Sequence, residues 1–251
     1  MKVLLVSTYE LGHQPFGLAS PAAWLAEAGA EVSCLDLAVE TLDEEAIRGA
    51  GLIAIYLPMH TATRLAGIVV PRIRAFNPSA HLCFYGLYAP LNEAFLRSEL
   101  GGGTVLGGEF ESGLVSLYKR LSANGSVALE PQSEPVISLI KQDFRVPRRE
   151  GLPPLSRYAY VEMDQDGRRT VGYTEASRGC KHLCRHCPVV PVYGGRFFVV
   201  PRDVVIGDIS QQVAGGAEHI TFGDPDFFNG VGHAIRLVEE LHGQFPDLTY
   251  D

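Results

Sequence analysis

Over roughly the first 120 residues, short runs of β-branched and aliphatic residues alternate with stretches whose apolar residues recur every three or four positions. The runs are KVLLVS, AEVSCLDL, GLIAIYLP, HLCFYGLY and TVLGG. Between and after them lie SPAAWLAEAG, EEAIRGA, TRLAGIVVPRIRAF, LNEAFLRSEL and GLVSLYKRL. Near-continuous apolar runs suit strands buried on both faces, and the intervening text suits helices that cover them. The rhythm therefore predicts βαβ units and a parallel sheet. Five such strands predict a doubly wound α/β domain, flavodoxin-like or Rossmann-like, over residues 1–121. In TLDEEAIRGA the acidic run predicts a solvated helix face with Thr41 or Asp43 near its N-cap. No GxGxxG follows the first run, so the text carries no dinucleotide fingerprint.

From 122 to 170 the pattern lapses into SANGSVALEPQSEPVISL and RVPRREGLPPLSRYAYV, crowded with Pro, Ser, Glu and Arg. That composition predicts a linker draped over a domain surface. A second βα rhythm fills 171–251. TVGYTEASRG reads as a strand, DVVIGDISQQVAGG as a helix, EHITFGD as a strand, VGHAIRLVEELHGQF as a helix, and DLTYD as the opening of another strand. A βα barrel repeats this unit about eight times. The text holds two units and a fraction, which is expected of the front part of a barrel in a longer protein.

Charge and composition narrow the chemistry. The 251 residues are 46% hydrophobic, enough for real cores, and 21 basic against 29 acidic residues leave a net charge of −8. A broad attraction to nucleic acid or to an anionic membrane is not expected, and a small-molecule substrate is. The opening MKVLLVSTYELG lacks the regions of a secretory signal, and no run of about 18 apolar residues could span a bilayer. With five cysteines, three of them clustered, a reducing cytoplasm is expected and a disulfide framework is not. Cys34 and Cys83 fall on apolar runs and read as small buried hydrophobes. His219, His233 and His242 read as solvent-facing or packed.

The cluster is SRGCKHLCRHCPVV, which sets Cys180, Cys184 and Cys187 on a loop after a predicted strand. Thiolates select zinc, copper(I) or iron–sulfur clusters. Ferredoxins hold each iron of a cubane with a cysteine, so three thiolates leave one iron open to a ligand. With His182 and His186 alongside, a Cys₃His zinc site that merely staples a binding protein is the rival reading.

Cys180-x₃-Cys184-x-His186-Cys187 resembles the CxxxCxφC signature of the radical S-adenosylmethionine superfamily, with His186 at the φ position. The resemblance implies a [4Fe-4S] cluster whose open iron is chelated by the amino and carboxylate groups of S-adenosylmethionine. It also implies reductive cleavage of the sulfonium to a 5′-deoxyadenosyl radical, oxygen sensitivity, and an electron donor such as flavodoxin or ferredoxin. The later stretch ITFGDPDFFNG ends a predicted strand where the family carries a GGEP-like motif for the cofactor's amino group. Gly223, Asp224 and Pro225 would stand there, with Asp226 nearby. A tight strand-to-helix turn with an aspartate cap explains the same residues without a ligand.

A flavodoxin-like domain ahead of such a barrel resembles the cobalamin-binding branch of the superfamily, and implies methylation or rearrangement of an unactivated carbon. In the wider cobalamin-binding fold a DxHxxG motif supplies an axial histidine. This chain has Glu10-Leu-Gly-His13-Gln-Pro-Phe-Gly17, with the glycine four residues past His13 and no aspartate. The other corrin-facing candidates are Met59, His60 and Thr61 after the third run, Gly86 after the fourth, and Gly107, Gly108 and Glu109 after the fifth. They lie beyond strand ends, where such sheets bind ligands. Turn geometry alone is the competing explanation for each glycine. Arg196, in Tyr193-Gly-Gly-Arg196, is a candidate for a substrate carboxylate or phosphate. The remaining alternative is a radical enzyme whose first domain is a scaffold without cobalamin.

Overall fold

A computed structural model describes residues 1–123, 134–163 and 167–251. The first half runs β1 (Lys2–Ser7), α1 (Phe16–Glu27), β2 (Glu31–Asp36), α2 (Glu44–Gly49), β3 (Leu52–Tyr56), α3 (His60–Phe76) and β4 (His81–Tyr85). It continues with α4 (Tyr88–Leu91), α5 (Glu93–Ser98), β5 (Thr104–Gly108), α6 (Glu111–Ala123) and β6 (Ile137–Ser138). All six strands are parallel, in the order β2-β1-β3-β4-β5-β6. The first five strands are the expected doubly wound sheet, and the order reverses between β1 and β3.

Alternation along each strand splits the interior into two cores. Leu4, Val6, Ile53, Ile55 and Phe84 pack with Ala62, Ala66, Val70 and Ile73 of α3 on one face. Val3, Leu5, Ala54, Tyr56 and Tyr85 pack with Leu18 and Leu25 of α1 and Leu114 and Leu117 of α6 on the other. Successive side chains of a strand point to opposite faces, so apolar residues at consecutive positions require helices on both. Asp43 caps α2, accepting the Ala46 N–H at 3.0 Å. Pro21 lies inside α1 and has no N–H to give the Gly17 carbonyl; the Tyr85 hydroxyl donates to that carbonyl at 2.7 Å instead.

The stretch between the two large sheets is woven into both. Its β6 adds a sixth strand to the first sheet, the Gly107 N–H donating to Val136 O at 2.7 Å. Further on, β7 (Tyr160–Met163) pairs antiparallel with β8 (Gly167–Thr174). After β8 come β9 (Ser177–Gly179), α7 (Val190–Tyr193), β10 (Phe197–Val199), α8 (Arg202–Ala214), β11 (His219–Phe222), α9 (Val231–Gln244) and β12 (Thr249–Tyr250). The second sheet is ordered β12-β11-β8-β7, with β8, β11 and β12 parallel. TVGYTEASRG, expected as one strand, is two: the chain leaves the sheet after Thr174, and β9 pairs antiparallel with β10. Ile209, Leu237 and Leu241 of α8 and α9 bury against Ile220 of β11. Among the described residues, no helix is long and apolar enough to cross a membrane.

Candidate functional site

The cysteine loop begins where β9 ends. Gly179 has φ +71°, and a Cβ there would lie 2.4 Å from the Arg196 carbonyl, so only glycine lets the chain turn off the strand at this point. Cys180 is buried, Cys187 half-buried and Cys184 exposed, and all are free thiols. The Cys180 sulfur receives the His182 N–H at 3.4 Å and the Asn229 amide at 3.7 Å. Asn229 also accepts the Lys181 N–H at 2.7 Å, and its carbonyl accepts Lys181 Nζ at 2.6 Å. The loop is thus strapped to the 3₁₀ turn Phe227–Gly230, which Asp226 caps through the Phe228 N–H at 3.0 Å. His182 Nε2 lies 3.2 Å from Asp226 Oδ2, while His186 is exposed. Among the described residues, no three His, Cys, Asp or Glu side chains converge on the centre of a single metal ion.

The residues after β11 form the facing wall. The Gly223 N–H donates to Thr174 O at 2.7 Å, and the space a Cβ would take at Gly223 is filled by Tyr173. Asp224 accepts the Ala176 N–H at 2.9 Å and the Ser177 hydroxyl, tying the end of β11 to the start of β9. Burial raises its carboxyl above the ordinary range, and these hydrogen bonds oppose the shift. Its oxygens are therefore engaged in bracing the loop that carries Cys180. Pro225 is exposed at the rim.

The C-terminal edges of the two sheets face each other across a cavity of about 170 Å³. Glu10, Tyr56, Met59 and Gly108 line it from the side of the first sheet, and Tyr173, Glu175 and Gly223 from the side of the second. Arg178 forms its floor. That guanidinium is buried, 2.6 Å from Glu111, 3.4 Å from Glu109 and 3.0 Å from Glu175, with the Ser20 hydroxyl at 3.4 Å. Gln142, from the inter-domain stretch, donates to Glu109 at 3.3 Å and to Glu111 at 3.1 Å, and the Tyr193 hydroxyl donates to Glu109 at 3.2 Å.

Three carboxyls sharing one arginine do not titrate alike. Burial acts to raise Glu111, but Arg178 and its hydrogen bonds outweigh it and hold that carboxyl below the ordinary range. Glu109 is raised by burial despite Arg178, and Glu175 is pushed up to about 7 by burial, with Asp224 and Glu111 adding to the shift. A second clasp joins the domains, with Arg149 bonding Asp208 at 2.6 Å, Gln14 at 2.7 Å and the Tyr173 carbonyl at 2.7 Å.

The residues singled out in the first domain part company. His13 is half-buried and stacks on Tyr173 at 4.8 Å, with burial pushing its imidazole pKa down. Met59 lines the cavity, whereas His60 and Thr61 are exposed at the start of α3. A Cβ on Gly86 would lie 2.9 Å from Leu57 O, on Gly107 2.4 Å from Pro90, and on Gly108 2.3 Å from Ser138 O. These glycines make room for the protein's own atoms. Glu109 belongs to the Arg178 cluster, and Arg196 is exposed, donating to Leu139 O at 3.4 Å. Glu10, Arg178, Glu175 and Tyr173 are cavity residues that pattern reading passed over. Their common signal is position, since the three Glu and Tyr residues lie at or just beyond the ends of β1 and β8, where open α/β sheets bind ligands.

Solved structures similar to this chain include two of TsrM, a radical S-adenosylmethionine methyltransferase from Kitasatospora setae. One carries tryptophan substrate and the S-adenosylmethionine analogue aza-SAM (TM-score 0.72, 18% identity), and covers 98% of this chain and 52% of that one. The other carries cobalamin and a [4Fe-4S] cluster (TM-score 0.71, 18% identity), and covers 99% of this chain and 53% of that one. The chain shares the TsrM fold. It spans about half the length of that protein. No protein-family model and no curated protein matches the sequence.

Proposed function

We propose that the chain is the cluster-bearing part of a radical S-adenosylmethionine enzyme acting on a small molecule. The observation that carries this reading is the trio of free thiols at CxxxCxxC spacing on the loop after β9, in a fold shared with a radical S-adenosylmethionine methyltransferase. The donor set suits an iron–sulfur cluster. Three cysteine thiols are soft donors, and the Cys180 sulfur is already positioned by the His182 N–H and the Asn229 amide. Cys180, Cys184 and Cys187 would hold the [4Fe-4S] cluster. When bound, it supplies one electron for cleavage of S-adenosylmethionine.

The protein's own part is support. Asn229 and Lys181 fix the start of the loop, and Asp224 braces β9, which leads into the thiols, against β11. Gly223 and Pro225 line the cavity and leave it open for the cofactor. The buried Arg178 cluster and the Arg149 clasp hold the two domains together and keep bulk water from the cavity floor. The electron donor in this reading is a small reductant protein such as flavodoxin or ferredoxin, and the setting is the cytoplasm.

A second reading adds cobalamin, and the TsrM structure solved with cobalamin favours it. The ligand-free cavity of about 170 Å³ is below the roughly 300–1,000 Å³ of ordinary small-molecule pockets, for S-adenosylmethionine as for a corrin, so its volume does not choose between the two readings. The glycines at the sheet edge face protein atoms, so they add no cradle. The reading with the cluster and S-adenosylmethionine is the one that the thiol trio carries. Anaerobic incubation with S-adenosylmethionine and dithionite tests it: 5′-deoxyadenosine should form with the wild type and not with Cys184→Ala. Formation at equal rates in both would contradict it. Hydroxocobalamin retained after gel filtration would decide for the second reading.

A further inference from the structure

We propose that the cavity between the domains binds its small molecule through a protonated nitrogen, an amine or amidine, that pairs with the carboxylate of Glu10. This names a substrate class for the function proposed above and rests on that reading.

Glu10 follows β1 at the edge where the strand order reverses. It is only 4% exposed, lines the cavity, and its Oε2 has no hydrogen-bond partner among the described residues. A buried carboxyl oxygen without a donor costs about 1–3 kcal/mol, and more if charged, so the position asks for a ligand. The neighbouring cations are already engaged. Arg178 serves Glu109, Glu111 and Glu175, and Arg149 serves Asp208, Gln14 and the Tyr173 carbonyl. Glu10 is the carboxylate they leave over.

The walls agree with a cation. Tyr56 and Tyr173 line it with aromatic rings, a side-chain type that attracts ammonium groups, while Met59, Leu87 and Phe110 offer apolar surface. A cavity of about 150 Å³ holds benzene, so about 170 Å³ takes one ring with a short arm. With no ligand, burial and the nearby Glu175 and Asp36 raise the Glu10 carboxyl well above its ordinary range, while the Gly17 N–H and Arg149 pull the other way; Tyr56 and Tyr173 stay neutral. An arriving ammonium favours the carboxylate, so binding is expected to release a proton.

The test is isothermal titration of the full chain, anaerobically reconstituted, with 2-phenylethylamine and its neutral counterpart 2-phenylethanol, in two buffers of different ionisation enthalpy. The amine should bind at least about tenfold tighter than the alcohol, with buffer-dependent heat, and Glu10→Gln should erase that preference. Equal affinities, binding of neither probe, or an unchanged preference in Glu10→Gln would overturn the proposal. The wild-type comparison needs no variant, so it decides even if Glu10→Gln folds poorly. S-adenosylmethionine itself carries an ammonium. Its affinity should be the same in both proteins, and a parallel loss would overturn the proposal by assigning Glu10 to that cofactor. Absence of iron and of 5′-deoxyadenosine with the amine preference intact would sink the enzymatic reading and leave the cavity's preference standing.

Discussion

The two sheets meet edge to edge, and their edges are finished in opposite ways. On the first, the loops close over the protein's own atoms. Gly107 abuts Pro90, Gly108 abuts the Ser138 carbonyl, and the rings of Tyr56, Tyr85 and Phe110 pack at 5.0–6.2 Å. On the second, the cysteine loop stands out with Cys184 exposed, Leu183 67% exposed and Phe228 68% exposed, and a few hydrogen bonds around Asn229 hold it. The packed edge is a platform, and the open edge is held by few contacts. At the junction Glu10 lines the cavity with one carboxyl oxygen unpaired among the described residues, and Gly179, the residue before Cys180, lines it from the other side.

The sharpest way to break this contrast is to disable each edge. Replacing Cys180, Cys184 and Cys187 together with alanine should lower bound iron after reconstitution to below about a tenth of wild type. Thermal unfolding of the apo form should move by only a few degrees, because Cys180 and Cys187 belong to a small cluster apart from the larger cores of the two sheets. Unfolding of the metal-free triple variant before any wild-type transition would show that the open edge is structural after all.

Arg178→Ala acts on the platform. It leaves Glu109 and Glu111 buried without their cation, which should cost about 3–5 kcal/mol in urea denaturation, and adding Glu109→Gln and Glu111→Gln should recover most of it. A loss under about 1 kcal/mol would mean that the domains hold together without the cluster.

Glu175 gives a smaller, pH-dependent effect. Its carboxyl is pushed from 4.5 up to about 7 in the folded protein, so the native state holds a proton that the unfolded chain releases earlier. Its contribution is fully present below about pH 4.5 and is lost as pH rises toward 7, by up to about 1–3 kcal/mol. Urea midpoints of Glu175→Gln should therefore fall less between pH 5 and pH 7 than those of the wild type. Smallest of all, Tyr85→Phe removes the hydroxyl that replaces the missing Pro21 donor and should cost about 1 kcal/mol by the same assay.

The same contrast sets what could be read from the chain. Five strands of the first sheet, the helices around them and the Asp43 cap were legible, because burial on two faces and local capping write themselves into neighbouring residues. So was the thiol trio, whose chemistry lies within eight positions. The Arg178 cluster was not, since Ser20, Glu109, Gln142, Glu175 and Arg178 come together only after two domains and the stretch between them have folded. For the same reason the sequence of β6 and β7 has the pattern of a linker: each is short and forms only by pairing with the edge strand of a sheet, β5 or β8. His13, Gly86 and Gly107 drew attention through motif position, yet their surroundings are a tyrosine ring and nearby backbone or proline atoms of the same chain.

The central claim is that three thiolates hold a cluster with one iron left for S-adenosylmethionine. Electron paramagnetic resonance of the anaerobically reconstituted, dithionite-reduced protein, recorded before and after adding S-adenosylmethionine, tests it without requiring turnover. About four irons and four sulfides per chain, with a reduced [4Fe-4S] signal whose g values shift on adding the cofactor, is the predicted result. A single bound zinc, or a cluster signal that S-adenosylmethionine leaves unmoved, would contradict it.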